Sequence, residues 1–243
     1  MQHHRFSSTQ REVLVIGRAT WYIEDKDRDA AIDALRTGID LRTNETDTAE
    51  MYGSGAAEEV VGEAIAGRRD QVFLVAKVLP ENTSRSGTIE ACEASLARLH
   101  TDRLDCCLLH WRAHRPLEDA VAAFEQLQQD GKILCWGVND VDIPDLREAR
   151  KIAAKGQVVD NQLLYQMHEG PTEDAAGLWY EKHGVAVVAC SPFGPGSFPG
   201  PRTAGGRVLQ QITASHHASS RQIGLQFLLR RPGVFAIPKA SAP

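Results

Sequence analysis

Four side chains suited to proton transfer stand at or just after the ends of apolar runs: Asp47, Tyr52, Lys77 and His110. A phenol is a weak acid near neutrality, with an ordinary pKa of about 10, and a nearby ammonium favours phenolate and lowers that value. Lys77 near Tyr52 therefore predicts a phenol tuned to release its proton. Asp47 would keep Lys77 charged and oriented, and His110 would hydrogen-bond an oxygen on which negative charge builds. Each residue alone has a plainer reading: Asp47 as a loop or capping carboxylate, Tyr52 as a surface aromatic, His110 as a satisfied core histidine. Lys77 is harder to dismiss, because lysine seldom ends an apolar strand without a partner. Their occurrence together on three consecutive runs favours the chemical reading.

Short apolar runs alternate along the chain with amphipathic segments. The runs lie at Val72–Ala76, Leu104–Leu109, Ile133–Val138, Val158–Val159, Val185–Ala189 and Val234–Ile237. They lack polar alternation, as parallel strands covered on both faces do. Ile89, Cys92, Leu96 and Leu99 share one helical face, and Leu117, Ala120, Val121, Phe124 and Leu127 share another. Further helices read near 27–37, 55–66, 144–154, 172–183, 205–215 and 219–230, with Ser84 and Pro144 as start signals. A first strand near Val13–Gly17 and a second before Asp47 bring the strand count to eight. Eight βα units with right-handed crossovers predict a (β/α)8 TIM barrel. An open dinucleotide-binding sheet should begin with a Gly-rich turn, and Gly53-Ser-Gly55 lacks the third glycine.

Composition fits that architecture. The 243 residues are 42% hydrophobic, enough for one large core, and 27 basic against 32 acidic residues give a net charge of −5. That balance argues against a nucleic-acid binder, and apolar runs of about six residues argue against a membrane span. The first ten residues lack the apolar stretch of a secretory signal. Five cysteines without a CxxC pair suggest neither a disulfide framework nor a zinc knuckle, so a cytoplasmic protein is expected. The chain reads as one domain over residues 1–243, with 1–12 as a flexible N-terminal segment.

The segment Asp47-Thr-Ala-Glu-Met-Tyr-Gly53, then Lys77, then Leu108-Leu-His110-Trp111, resembles the aldo-keto reductase family. Thr20-Trp21, Gly137-Val-Asn139, Asn161-Gln162, Ser191-Pro192 and Ile237-Pro-Lys239 extend the resemblance from about Val13 to Ala240. It implies a barrel that binds NADP(H) without a Rossmann domain and reduces an aldehyde or ketone to the alcohol. Tyr52 would be the proton donor, Asp47 and Lys77 its tuners, and His110 the substrate orienter. The same resemblance assigns cofactor contacts to Thr20, Trp21, Asn139, Asp140, Gln162, Ser191, Pro192, Phe193 and Lys239, and a substrate pocket to Trp21 and Trp111. It implies a small-molecule carbonyl substrate and no metal.

The chain departs from the family pattern at Ala19, at Asn139-Asp140 and at Cys190, and Arg42-Thr-Asn-Glu-Thr46 makes a poor buried strand. With Pro243 soon after the eighth strand, the last outer helix and C-terminal tail are expected to be missing. A monomer is expected, with weak association through the surface so left. Two other classes stay open: a shortened barrel acting as a non-catalytic binding or regulatory subunit, and a metal-dependent hydrolase using His110, His114 and His168.

Overall fold

The computed structural model describes residues 2–9, 11–112, 114–153, 157–168, 175–194, 196 and 198–239. The chain opens with an antiparallel hairpin, β1 (His3–Arg5) and β2 (Glu12–Leu14). Then follow β3 (Arg18–Ala19), α1 (Arg28–Asp40), β4 (Glu45–Asp47), α2 (Ala56–Ile65), β5 (Phe73–Val78) and α3 (Arg85–Arg98). The next elements are β6 (Leu104–Leu109), α4 (Leu117–Gln129), β7 (Ile133–Asn139), α5 (Ile143–Ile152), β8 (Val158–Leu164) and α6 (Ala175–His183). The last are β9 (Ala186–Cys190), α7 (Ala204–His216), α8 (Ser220–Leu228) and β10 (Val234–Ile237).

Strands β3 to β10 form one parallel sheet in sequence order. The two edges of that sheet meet. Gly17 N donates to Ala236 O at 2.8 Å and Ala236 N donates to Val15 O at 2.9 Å, with bridges Ile16↔Ala236 and Ala19↔Lys239. The sheet is thus a (β/α)8 barrel, and its helices cover the outer face. Strands β5 and β6 are buried along their whole length, as continuous apolar runs require.

Three expectations change. The first barrel strand is Arg18–Ala19, whereas Val13 and Leu14 pair with His4 and His3 in the hairpin, which falls within the N-terminal segment 1–12 and just after it. Phe6 in that hairpin is wholly buried and packs on Phe73 and Phe235, with ring centroids at 4.8 and 5.0 Å. The hairpin closes the barrel floor because this aromatic plug has nowhere else to be dry. Finally, only Glu45–Asp47 of the polar second segment forms a buried strand, while Arg42 is exposed and Thr43 and Asn44 are half-buried ahead of it. Thr46 faces outward and its Oγ1 accepts from Arg18 Nη2 at 2.8 Å, while Arg18 Nη1 donates to Leu35 O. The polarity of the segment is therefore met by a guanidinium from the neighbouring strand.

The helices begin as their capping chemistry dictates. Ser84 accepts from Gly87 N at the start of α3, Asp142 accepts from Asp145 N ahead of α5, and Ser219 and Gln222 form a reciprocal capping box on α8. Among the described residues no helix is long and apolar enough to cross a membrane. The start of the expected 172–183 helix and the expected lack of a final helix after Lys239 fall partly on residues 172–174 and 240–243, outside the described ones.

Candidate active site

The C-terminal ends of the strands bring the chemical residues to one mouth, as in other barrels of this kind. Asp47 ends β4, Lys77 lies near the end of β5, and His110 follows β6. Tyr52 opens a short 3-10 turn, Tyr52–Gly55, after β4. Gly53 at φ 56° and Gly55 at φ 97° make that turn possible, and no side chain would fit at Gly55, where a Cβ would stand 2.5 Å from Arg98. Arg98 in turn donates from Nε to the buried Glu58 at 2.5 Å, which anchors α2 behind the tyrosine.

Lys77 is the hub. Its Nζ, fully enclosed, donates to Asp47 Oδ1 at 2.5 Å, to Tyr52 OH at 3.1 Å and to Thr48 O at 3.2 Å. Burial alone would pull the Lys77 ammonium down, but Asp47 and Tyr52 outweigh it and hold it above the ordinary lysine value. Tyr52 differs from the expectation drawn from sequence. Burial raises the phenol further than Lys77 lowers it, so its net shift is upward and it keeps its proton at neutral pH. His110 is pushed down to about 3, first by burial and then by Lys77, so its imidazole is neutral. Its ring stands edge-on to Tyr52 at 5.9 Å, and its buried Nδ1 has no partner among the described residues.

The aromatic walls surround this group. Trp21 stands 6.4 Å from Tyr52 and stacks on Tyr22 at 4.7 Å, and Trp111 lies 4.8 Å from His110. Trp21 is 44% exposed.

The remaining expected residues divide. Lys239 is exposed at the mouth with its Nζ 5.6 Å from the Tyr22 ring centre. Asn139, Ser191 and Phe193 are half-buried, Asp140 is exposed, and Asp140 and Ser191 hold left-handed φ values of 52° and 46°. Pro192 is buried. Thr20 is buried and its hydroxyl donates to Asp47 O at 2.9 Å. Gln162 donates from Nε2 to Asp47 Oδ2 at 2.8 Å, which makes it a second support of the carboxylate. Neither this link nor the Thr48 carbonyl was visible in the sequence. The first joins residues 115 apart and the second is backbone. Two further acids, Glu45 and Asp160, lie inside the barrel; a two-residue step back from Asp47 would have pointed to Glu45.

The sequence profile of the aldo/keto reductase family matches residues 13–243. The chain belongs to the aldo/keto reductase family. It is 41% identical over 228 residues to the methylglyoxal reductase YeaE of Escherichia coli, an alignment covering 93% of this chain and 80% of that one. It is 32% identical to the glyoxal reductase of Bacillus subtilis, covering 86% and 73%. An aldo-keto reductase of Klebsiella pneumoniae, solved in complex with NADPH, superposes with a TM-score of 0.91 at 38% identity over 99% of this chain and 85% of that one. Membership of this family, with relatives named as reductases, makes the protein an NADP-dependent oxidoreductase and decides against the hydrolase reading.

Proposed function

We propose that this protein reduces an aldehyde or ketone to the alcohol with NADPH, and that Tyr52 delivers the proton. The observation that carries the reading is the chain Asp47–Lys77–Tyr52, closed by bonds of 2.5 and 3.1 Å, with Asp47 and Lys77 only 1% exposed. The donor set fits the cofactor. Lys239 offers the positive charge that a 2′-phosphate requires, and Asn139, Asp140, Gln162 and the Ser191–Phe193 segment line the same mouth. Thr20 would support the site through Asp47, and Trp21 would border both ligands. When bound, NADPH supplies the hydride.

The protein's own groups do the rest. Tyr52 OH and the neutral His110 imidazole, with ring centroids 5.9 Å apart, would hydrogen-bond the carbonyl oxygen and fix its position. As negative charge grows on that oxygen, Tyr52 gives up its proton. Lys77, permanently charged, stabilises the phenolate left behind, and Asp47 holds Lys77 in place. A phenol that is protonated at rest and has an ammonium 3.1 Å away is matched to that single task.

The substrate class we infer is a small 2-oxoaldehyde. Support comes from the two relatives named methylglyoxal and glyoxal reductase, and from the rings of Trp21 and Trp111 beside Tyr52 and His110. Replacing Tyr52 by Phe tests the reading. Reduction of methylglyoxal should fall by about 10²–10⁴-fold, the usual size of general-acid catalysis, while NADPH binding followed by fluorescence stays near the parent's. Turnover by Tyr52→Phe comparable to the parent's would remove Tyr52 from the mechanism.

A further inference from the structure

A cavity of about 640 Å3 lies at the end of the barrel opposite the mouth, and carbonyl reduction makes no use of it. Its size falls within the range of small-molecule sites, about 300–1,000 Å3. The floor is the N-terminal ends of two strands, through the buried Ala186 and Val187 of β9 and Val234 of β10. One wall is the β1–β2 hairpin, through Arg5, Ser7 and Ser8. The other is α6, where Gly177, Tyr180 and Glu181 stand three and four residues apart and so share a face. Glycine is disfavoured inside a helix, and at 177 it withholds a side chain from the cavity wall.

The charge around this cavity runs against that of the molecule. Three arginines border it, Arg5, Arg150 of α5 and Arg231, with Glu181 as the one acid, in a chain whose net charge is −5. Arg231 is engaged, its Nη1 lying 3.9 Å from Glu181 Oε1. The guanidinium groups of Arg5 and Arg150 make no hydrogen bond or ion pair among the described residues, although Arg150 is half-buried. The wall around them is fixed. Ser7 Oγ donates to Gly184 O at 2.5 Å, and His183 Nδ1 donates to Trp179 O at 2.8 Å with its ring stacked on that indole. Beside the arginines, Val185, Val187, Pro232 and Val234 supply apolar surface.

We propose that this cavity is a second ligand site, for an organic acid whose apolar body rests on the β9–β10 floor and whose carboxylate pairs with Arg150 and Arg5. A guanidinium presents a planar fork of donors that matches a carboxylate, and an apolar floor with few polar groups at its rim is the usual build of a small-molecule site. The ligand joins the hairpin to the barrel. Phe6, between Arg5 and Ser7, plugs the floor against Phe73 and Phe235, so an occupied site holds the plug in place and stabilises the folded chain by mass action. Tyr52 and Lys77 stand at the other end of the strands, so the acid binds together with NADPH, whatever the role of Tyr52.

The test is calorimetric titration of the full chain, saturated with NADPH, with 2-naphthoate and with octanoate at low salt. At least one acid should bind with a Kd below about 1 mM, and the neutral amide of the same body at least about tenfold more weakly. Arg5→Gln combined with Arg150→Gln should weaken the acid by about 10–100-fold, and Tyr52→Phe should leave it unchanged. Failure of both acids to bind overturns the proposal. So does binding that survives the arginine replacements and disappears in Tyr52→Phe, because the acid then sits at the mouth. Amide resonances of the parent locate the site without any variant: those of residues 5–8, 177–187 and 231–234 should shift on titration, and those of 47–53 should not. The reverse pattern refutes the site. At a hundredfold excess over Kd the acid should raise Tm by about 5–10 °C, and an unmoved Tm would show that it does not select the folded hairpin and barrel.

Discussion

Lys77→Met isolates the charge at the centre of the site, because methionine nearly matches the lysine stem in length and bulk. The substitution removes the donor that meets Asp47 Oδ1 at 2.5 Å and leaves the carboxylate, 1% exposed, with one side-chain donor, Gln162 Nε2 at 2.8 Å. Removing one partner of a buried pair costs about 3–5 kcal/mol, because the other charge stays in a medium that cannot solvate it. That is a large share of a typical margin of about 5–15 kcal/mol. Adding Asp47→Asn to Lys77→Met removes the stranded charge, so the double variant should be the more stable of the two, with a coupling of about 1–3 kcal/mol. The assay is urea unfolding at pH 7 for the four members of the cycle, compared at a common denaturant slope. The reasoning fails if Lys77→Met lies within about 1 kcal/mol of the parent, or if the double variant gains nothing over it.

Two further outcomes are expected. Phe6→Ala should cost about 3–5 kcal/mol by emptying the barrel floor between Phe73 and Phe235, while the rate per folded molecule stays near the parent's because the mouth is at the other end; a loss of under 1 kcal/mol in denaturant unfolding would show that the hairpin does not seal the core. Lys239→Met should raise KM for NADPH by roughly 10–100-fold, the range of a charge-assisted contact, and leave KM for NADH alone. The parent's preference for NADPH should shrink with added salt and the variant's should not; equal salt dependence would take Lys239 off the phosphate.

Much of the barrel is local information and was readable in the sequence. Continuous apolar runs such as Val72–Ala76 and Leu104–Leu109 suit strands buried on both faces, and the amphipathic spacing between them gives the helices, with start signals at Ser84 and Pro144. Because polar residues that end such runs must point to the strand ends, Asp47, Lys77 and His110 could be assigned to one mouth before any coordinates. What the tertiary structure alone decided depends on closure. Val13 looked like a barrel strand, but pairing with His4 turned it to the floor, where Phe6 needed burial. Of the polar segment Arg42–Thr46 only Glu45 and Thr46 are buried, and Arg18, arriving from the neighbouring strand, satisfies Thr46. The Gln162 bond to Asp47 and the nearness of Glu45 to Asp160 join strands more than a hundred residues apart, and no local pattern encodes such a meeting. The direction of the Tyr52 shift was decided there too. A nearby ammonium can be guessed from composition, but how much water folding removes from the phenol depends on every wall around it.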